Sequence, residues 1–149
     1  MTTIAYKNGS LCCDSLISQN SVRVGAMQKI FQTEEFAYGC AGAAGICTEF
    51  NAFMQKQGTI QGYHEKYGKE YGKDETNLSV LMINKSTKEL THYSYGTNAT
   101  TFTAEYSAIG SGVEIALGVM ACGKSAREAI KVAIKLDCLS GGKIQEIKF

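Results

Sequence analysis

Thr2, directly behind Met1, carries the groups for covalent catalysis once the methionine is removed: a free α-amine and a hydroxyl on one residue. The amine can then act as base toward its own hydroxyl, giving a self-contained nucleophile for amide carbonyls. Met-Thr is also an ordinary way for a chain to begin. The pair gains meaning only from the residues placed around it.

Such a base must be neutral, and an α-amine ordinarily titrates at about 7.7–8.0. A neighbouring cation lowers that value. Lys29 lies within Val24-Gly25-Ala26-Met27-Gln28-Lys29-Ile30-Phe31. It reads either as a solvent-facing lysine or as a buried one, and burial demands a counter-charge. Asp14, at the end of the apolar run Leu11-Cys12-Cys13, offers that charge. A carboxylate there equally suits a turn.

Three further segments join small residues to helix ends. Gly39-Cys40-Ala41-Gly42-Ala43-Ala44-Gly45 leads from a strand into a helix. Its backbone can approach a substrate, and N–H groups at a helix start can hold an oxyanion; a tight turn is the other reading. No Gly-Lys-Ser/Thr follows, so it is not a phosphate loop. Ser111 in Ile109-Gly110-Ser111-Gly112 opens a third helix and suits an N-cap. Asp137-Cys138-Leu139-Ser140-Gly141-Gly142 closes a fourth, where glycine suits a helix stop.

The elements that must position these residues follow from periodicity. Residues 2–6 and 10–14 read as a hairpin around Asn8-Gly9, the favoured two-residue turn. Strands are expected at 22–30 and 35–40. Ile46, Cys47, Phe50, Phe53 and Met54 then recur at helical spacing, with Gly58 as stop. Tyr63, Tyr67 and Tyr71 form a second helical stripe interrupted by Gly68 and Gly72. Strands return at 78–84, 89–95 and 106–109. Two helices follow, one through Val113, Ala116, Leu117 and Met120, the next opened by the capping box Ser125 and Glu128. A last strand spans 143–149. Strands clustered between helix pairs predict layered α+β packing, with two antiparallel sheets each covered by two helices.

The 149 residues suit one domain, 1–149, with a real core. Fifteen basic residues against fourteen acidic ones, without a Lys/Arg run, point to neither nucleic acid nor an anionic membrane. No apolar run has transmembrane length, and the first ten residues lack a secretory apolar stretch, so a cytoplasmic location is expected. The six cysteines form no CxxC pair, and His64 and His92 stand alone. Neither a zinc site nor a disulfide framework is expected, and the thiols read as reduced core residues.

Taken in order, these segments resemble the proteasome β-subunit family, including the bacterial HslV-type peptidases. Thr2-Thr3-Ile4 looks like the family's mature N-terminus, Asp14-Ser15 like its Asp-Ser pair and Lys29 like its essential lysine. Ala41-Gly42 looks like the pair whose glycine amide forms the oxyanion hole. Ser111 resembles the accessory serine, and Asp137-x-x-Ser140-Gly141-Gly142 the segment that supports the threonine. The opening Met-Thr-Thr-Ile-Ala-Tyr is most similar to short proteasome-like proteins of tailed bacteriophages, which would place the chain in a host cytoplasm.

The resemblance implies the four-layer αββα sandwich of N-terminal nucleophile hydrolases. It implies an N-terminal threonine endopeptidase needing no cofactor, with Thr2, Asp14, Lys29, Gly42, Ser111, Asp137 and Ser140 in catalytic roles. Ser18 would align the substrate. Met27, Cys40 and Ala44 would line the pocket for the side chain before the cleaved bond, favouring an uncharged apolar group. Implied partners are peptide or unfolded protein substrates, further copies in a ring, and an ATPase unfoldase. The interval from Thr2 to Asp14 is shorter than in the family. Trimming both arms of the hairpin keeps strand parity, and with it the direction of Asp14. A silent assembly protein of the same fold and a small-molecule amidohydrolase are the competing expectations.

Overall fold

The hairpin forms as its turn residues require. β1 (Thr3–Lys7) and β2 (Ser10–Cys13) pair antiparallel, Ile4 facing Cys13 and Tyr6 facing Leu11. Asn8 and Gly9 both take positive φ, 50° and 76°. The computed structural model describes residues 1–68 and 77–149. Tyr71 and Gly72, the end of the expected tyrosine stripe, lie outside the described residues.

The chain continues through β3 (Leu16–Gln19), β4 (Val22–Ala26), β5 (Ile30–Gln32) and β6 (Phe36–Gly42) into α1 (Ala44–Gln55) and α2 (Ile60–Tyr67). Then come β7 (Leu78–Asn84), β8 (Leu90–Ser94), β9 (Thr100–Phe102) and β10 (Tyr106–Gly110). Helices α3 (Val113–Ala121) and α4 (Ala126–Leu136) precede β11 (Gln145–Lys148). One sheet runs β10-β1-β2-β11, the second β5-β6-β7-β8-β9, and β3-β4 stand apart as a ribbon. Every pairing is antiparallel.

Alternation along the strands builds three apolar layers between four structural ones. Ile4, Tyr6, Leu11 and Cys13 face Ala37, Ala41, Leu81 and Ile83 across the space between the sheets. The intervening Ala5 and Cys12 point outward to Ala116, Met120, Ala129 and Ile130 of α3 and α4. On the second sheet, Tyr38, Cys40, Val80 and Met82 point outward to Phe50, Met54 and Tyr63 of α1 and α2. The fold is therefore the α+β, four-layer αββα sandwich. The Ser125–Glu128 capping box is present in full at the start of α4.

The expected strand at 22–30 is two strands. Between β4 and β5 the backbone leaves the ladder. The Met27 amide donates to the Ser15 carbonyl at 2.9 Å, the Lys29 amide to Gln145 Oε1 at 3.0 Å, and Gln145 Nε2 to the Met27 carbonyl at 2.8 Å. One side chain from the far end of the chain thus replaces two ladder bonds, and Lys29 turns inward. β3 and β9 were not expected; both are short, and exposed polar residues blur their alternation. The stop after α1 places Gln57, not Gly58, at positive φ (60°), while the Gly58 amide still closes onto the Phe53 carbonyl. Four cysteines are buried, whereas Cys122 and Cys138 are exposed, against the expectation of six core thiols. Among the described residues no helix is long and apolar enough to cross a membrane.

Candidate active site

Thr2 enters the first sheet at its centre, because β1 has β10 on one side and β2 on the other. It is 5% exposed. The Ser111 amide donates to the Thr2 carbonyl at 2.8 Å. This approach requires glycine at 110: φ is +98°, and a Cβ there would sit 1.8 Å from the Thr2 carbonyl oxygen. Thr3 binds the opposite face. Its amide donates to Asp14 Oδ1 at 2.9 Å, its hydroxyl lies 2.6 Å from Ser140 Oγ, and the Gly112 amide donates to that hydroxyl at 3.0 Å. Thr3 was not expected as a positioning residue, although strand parity alone sends it to the side opposite Thr2.

Asp14 and Lys29 meet, so the short hairpin keeps the parity on which their contact depends. Lys29 Nζ lies 3.1 and 3.2 Å from the two Asp14 oxygens, with Lys29 4% and Asp14 0% exposed. The carboxylate also accepts from the Leu16 amide and the Gly141 amide, each at 3.1 Å. Asp14 therefore ties β1, β3, Lys29 and the Ser140–Gly142 turn to one point. The ammonium's remaining protons go to the Leu16 carbonyl at 2.7 Å and the Met1 carbonyl at 3.2 Å. Burial pulls the Lys29 pKa below its ordinary value, against the opposing pull of the Asp14 carboxylate.

A second network lies toward the other side of Thr2. Asp137 Oδ2 accepts from Ser111 Oγ at 2.5 Å and Ser140 Oγ at 2.6 Å, while Oδ1 accepts from the Leu139 amide at 3.1 Å. Ser111 is therefore not the side-chain cap of α3, whose N-cap is Gly112 without a side-chain bond. Partial burial raises the Asp137 carboxyl, but the two hydroxyls, the amide and the positive chain end together hold it below its ordinary value. That fixes a sign. The Asp137 bonds stabilise the fold above the unfolded carboxyl pKa of about 3.9 and are lost as pH falls through the lower folded value. Asp137→Asn is expected to cost about 1 kcal/mol at neutral pH, little because the site is half-open to solvent. It should also flatten the fall of the melting temperature below about pH 4, measured by thermal melts from pH 7 to pH 2.

In front of Thr2 lies a cavity of about 540 Å³. Thr2, Lys29 and Gly42 line it, and so do Ser18, Met27, Cys40 and Ala44. Asp14, Ser111, Asp137 and Ser140 are not among its lining residues and support it from behind. Gly42 takes φ +130°, and a Cβ there would fall 2.3 Å from the Asn77 carbonyl oxygen. It immediately precedes Ala43, the N-cap of α1, where no side chain caps the helix. Ser18 Oγ accepts from the Met1 ammonium at 3.2 Å. Phe31, Cys47, Thr48 and Asn51 also line the cavity and were not expected at the site. Helical spacing from Ala44 would have found Thr48 and Asn51, four and seven residues on. Burial pushes the cavity thiols up, Cys47 to about 11, so neither it nor Cys40 competes as a thiolate at neutral pH.

No protein-family model and no curated protein matches the sequence. Solved structures do match the fold. Thiobacillus denitrificans BPH in complex with epoxomicin superposes with a TM-score of 0.76 at 17% identity, covering 99% of this chain and 97% of that one. Thiobacillus denitrificans BPH alone gives 0.73 at 18% identity, covering 99% and 96%. The eukaryotic HslV from Trypanosoma brucei gives 0.68 at 17% identity, covering 99% of each chain. The fold is thus the one shared by these HslV and proteasome-type subunits.

Proposed function

We propose that this chain is a threonine peptidase whose nucleophile is Thr2 after removal of Met1, acting on peptides inside a ring of identical subunits. The observation that carries the reading is the third proton of Lys29. Asp14 and the Leu16 carbonyl take two donors, and the remaining one points at the carbonyl oxygen of residue 1, two bonds from the Thr2 nitrogen. Loss of Met1 leaves a buried cation facing a free threonine amine. That cation disfavours the protonated amine and so keeps it neutral.

The reaction follows from the groups present. The Thr2 amine takes the proton of Thr2 Oγ as the oxygen adds to a peptide carbonyl. The Gly42 amide donates to the resulting oxyanion, a contact of a kind worth about 10²–10³ in rate. The protonated amine then gives its proton to the departing amine, leaving an ester on Thr2. Water, deprotonated by the same amine, cleaves the ester. Asp137, Ser111 and Ser140 hold the Thr2 backbone and its proton positions throughout.

Ring assembly is supported by the shared fold and by β4, exposed along its whole length and carrying Val22 and Val24. In the phage-like setting that the sequence opening suggests, the ring would work in a host cytoplasm, with an ATPase unfoldase as feeder. With Met1 in place the Thr2 nitrogen is an amide and has no basic lone pair, so the same contacts then describe the silent assembly reading.

Epoxomicin, the ligand of one structural neighbour, supplies the test. Intact and peptide mass spectrometry should find one adduct per subunit, at Thr2, in protein lacking Met1. Thr2→Ala should give none. Met1-free protein that stays unlabelled and cleaves no peptide would sink the peptidase reading.

A further inference from the structure

The floor of the cavity has a directional polarity set by three side chains. Gln55 Nε2 donates to the Tyr38 hydroxyl at 2.9 Å, and the same nitrogen lies 3.4 Å from the Gln32 carbonyl. The Gln55 amide is thereby oriented, and the Tyr38 oxygen is occupied as an acceptor. Tyr38 must then donate its own proton, and it does so to Asn51 Oδ1 at 2.7 Å. This fixes the Asn51 amide, with its oxygen turned to Tyr38 and its NH2 group left over. Among the described residues no protein acceptor takes those two protons. Asn51 lines the cavity while Tyr38 is fully buried behind it.

The rest of the lining says what an occupant looks like. Ala44, Thr48 and Asn51 stand on successive turns of α1, so the cavity follows that helix for about 10 Å. Its walls are apolar or soft, with Met27, Phe31, Cys40 and Cys47. The Thr48 hydroxyl donates to the Ala44 carbonyl at 2.9 Å, leaving only lone pairs for a guest. Among the described residues no carboxylate or histidine lines the cavity. The ammonium side chain that lines it, Lys29, is already committed to Asp14 and two carbonyls. A cationic guest would therefore meet no counter-charge among the described residues, and a purely aliphatic one would leave the Asn51 donors unmet.

We propose that the cavity selects a long, neutral side chain ending in an oxygen acceptor, glutamine or tyrosine, on the residue before the cleaved bond, and that Asn51 reads that oxygen. This assignment rests on the peptidase reading and narrows it. It also sharpens the expectation of a plain apolar group, since Met27, Cys40 and Ala44 form the walls but not the end. A site built to hydrogen-bond a substrate discriminates against the isostere lacking that group, because its own polar atoms are then left unpaired.

The test uses acetyl-Ala-Ala-Ala-X-aminomethylcoumarin with X as glutamine, methionine, tyrosine, phenylalanine or lysine, on Met1-free protein. The expected kcat/KM ratios are about 10 for glutamine over methionine and for tyrosine over phenylalanine. Asn51→Leu should bring both ratios to one or below. Asn51→Asp keeps the acceptor for Tyr38 and puts a carboxylate where the donor was, so cleavage after lysine should appear. Ratios within each variant are independent of how much of it folds. Turnover with both ratios near one, or ratios unchanged in Asn51→Leu, overturns the inference and leaves the peptidase standing.

A second arm separates the two claims: NMR titration of Thr2→Ala protein with acetyl-Ala-Ala-Ala-Gln amide and its methionine analogue. No turnover, together with tighter binding of the glutamine peptide that Asn51→Leu removes, sinks the peptidase and supports the pocket. Neither turnover nor a binding difference sinks both.

Discussion

Lys29→Ala is expected to lower kcat/KM on any cleavable peptide by at least about 100-fold and to destabilise the fold at the same time. The two effects have separate causes. Stability falls because Asp14, with no solvent exposure, is left as a buried carboxylate without its cation. Breaking such a pair from one side costs about 3–5 kcal/mol. The low end applies here, because the Thr3, Leu16 and Gly141 amides still donate to the carboxylate. For a chain of this length that is a drop of roughly 6–12 °C in melting temperature. On the proposed mechanism, activity falls because the threonine amine loses the charge that would keep it neutral. The double variant Lys29→Met with Asp14→Asn separates the causes. It removes both buried charges and keeps Oδ1 as an acceptor for the backbone amides, so thermal melts should recover part of the loss while peptide turnover should not recover. Recovery of turnover would remove Lys29 from the mechanism.

Gly110→Ala is expected to be severely damaging although it adds a single methyl group. The added carbon would meet the Thr2 carbonyl oxygen at 1.8 Å, and both partners are backbone, so no rotamer change relieves the overlap. The residue also holds φ at +98°, a region alanine rarely enters. β10 must separate from the first residues of β1, breaking the Ser111 amide bond to Thr2. A loss of about 3 kcal/mol or more in urea unfolding is expected, with epoxomicin labelling slowed by more than about 100-fold. Gly118→Ala is the control. Nothing lies within 4 Å of its added carbon, in the middle of α3, and it should stabilise by about 0.5–1 kcal/mol.

What the sequence made legible and what it hid divide along physical lines. The β1–β2 hairpin, α3, α4 and the β7–β8 pair were legible because each is specified locally, by a turn, a cap or a periodic stripe. The break between β4 and β5 was not. Its cause is Gln145, 116 residues beyond Lys29, whose amide satisfies backbone groups that would otherwise stay in a ladder. The candidate site residues were legible one by one as chemistry-bearing types, and their order carried the resemblance. What no local pattern shows is that Asp14 collects donors from four separate segments, or that one face of α1 ends the cavity in an amide. Both depend on which layers stack, and that emerges only when the two sheets close on each other.

Chain termini ordinarily fray, opening at almost no free-energy cost while the rest of a domain stays folded. Here the segment leading from Thr2 is the interior strand of a four-stranded sheet, hydrogen-bonded on both edges from Thr3 onward. Amide hydrogens of β1 should therefore exchange with solvent on the timescale of global unfolding, not of end fluctuations. On that expectation the order of the site rises and falls with the whole sandwich, and a weakening elsewhere in the first sheet should register at Thr2.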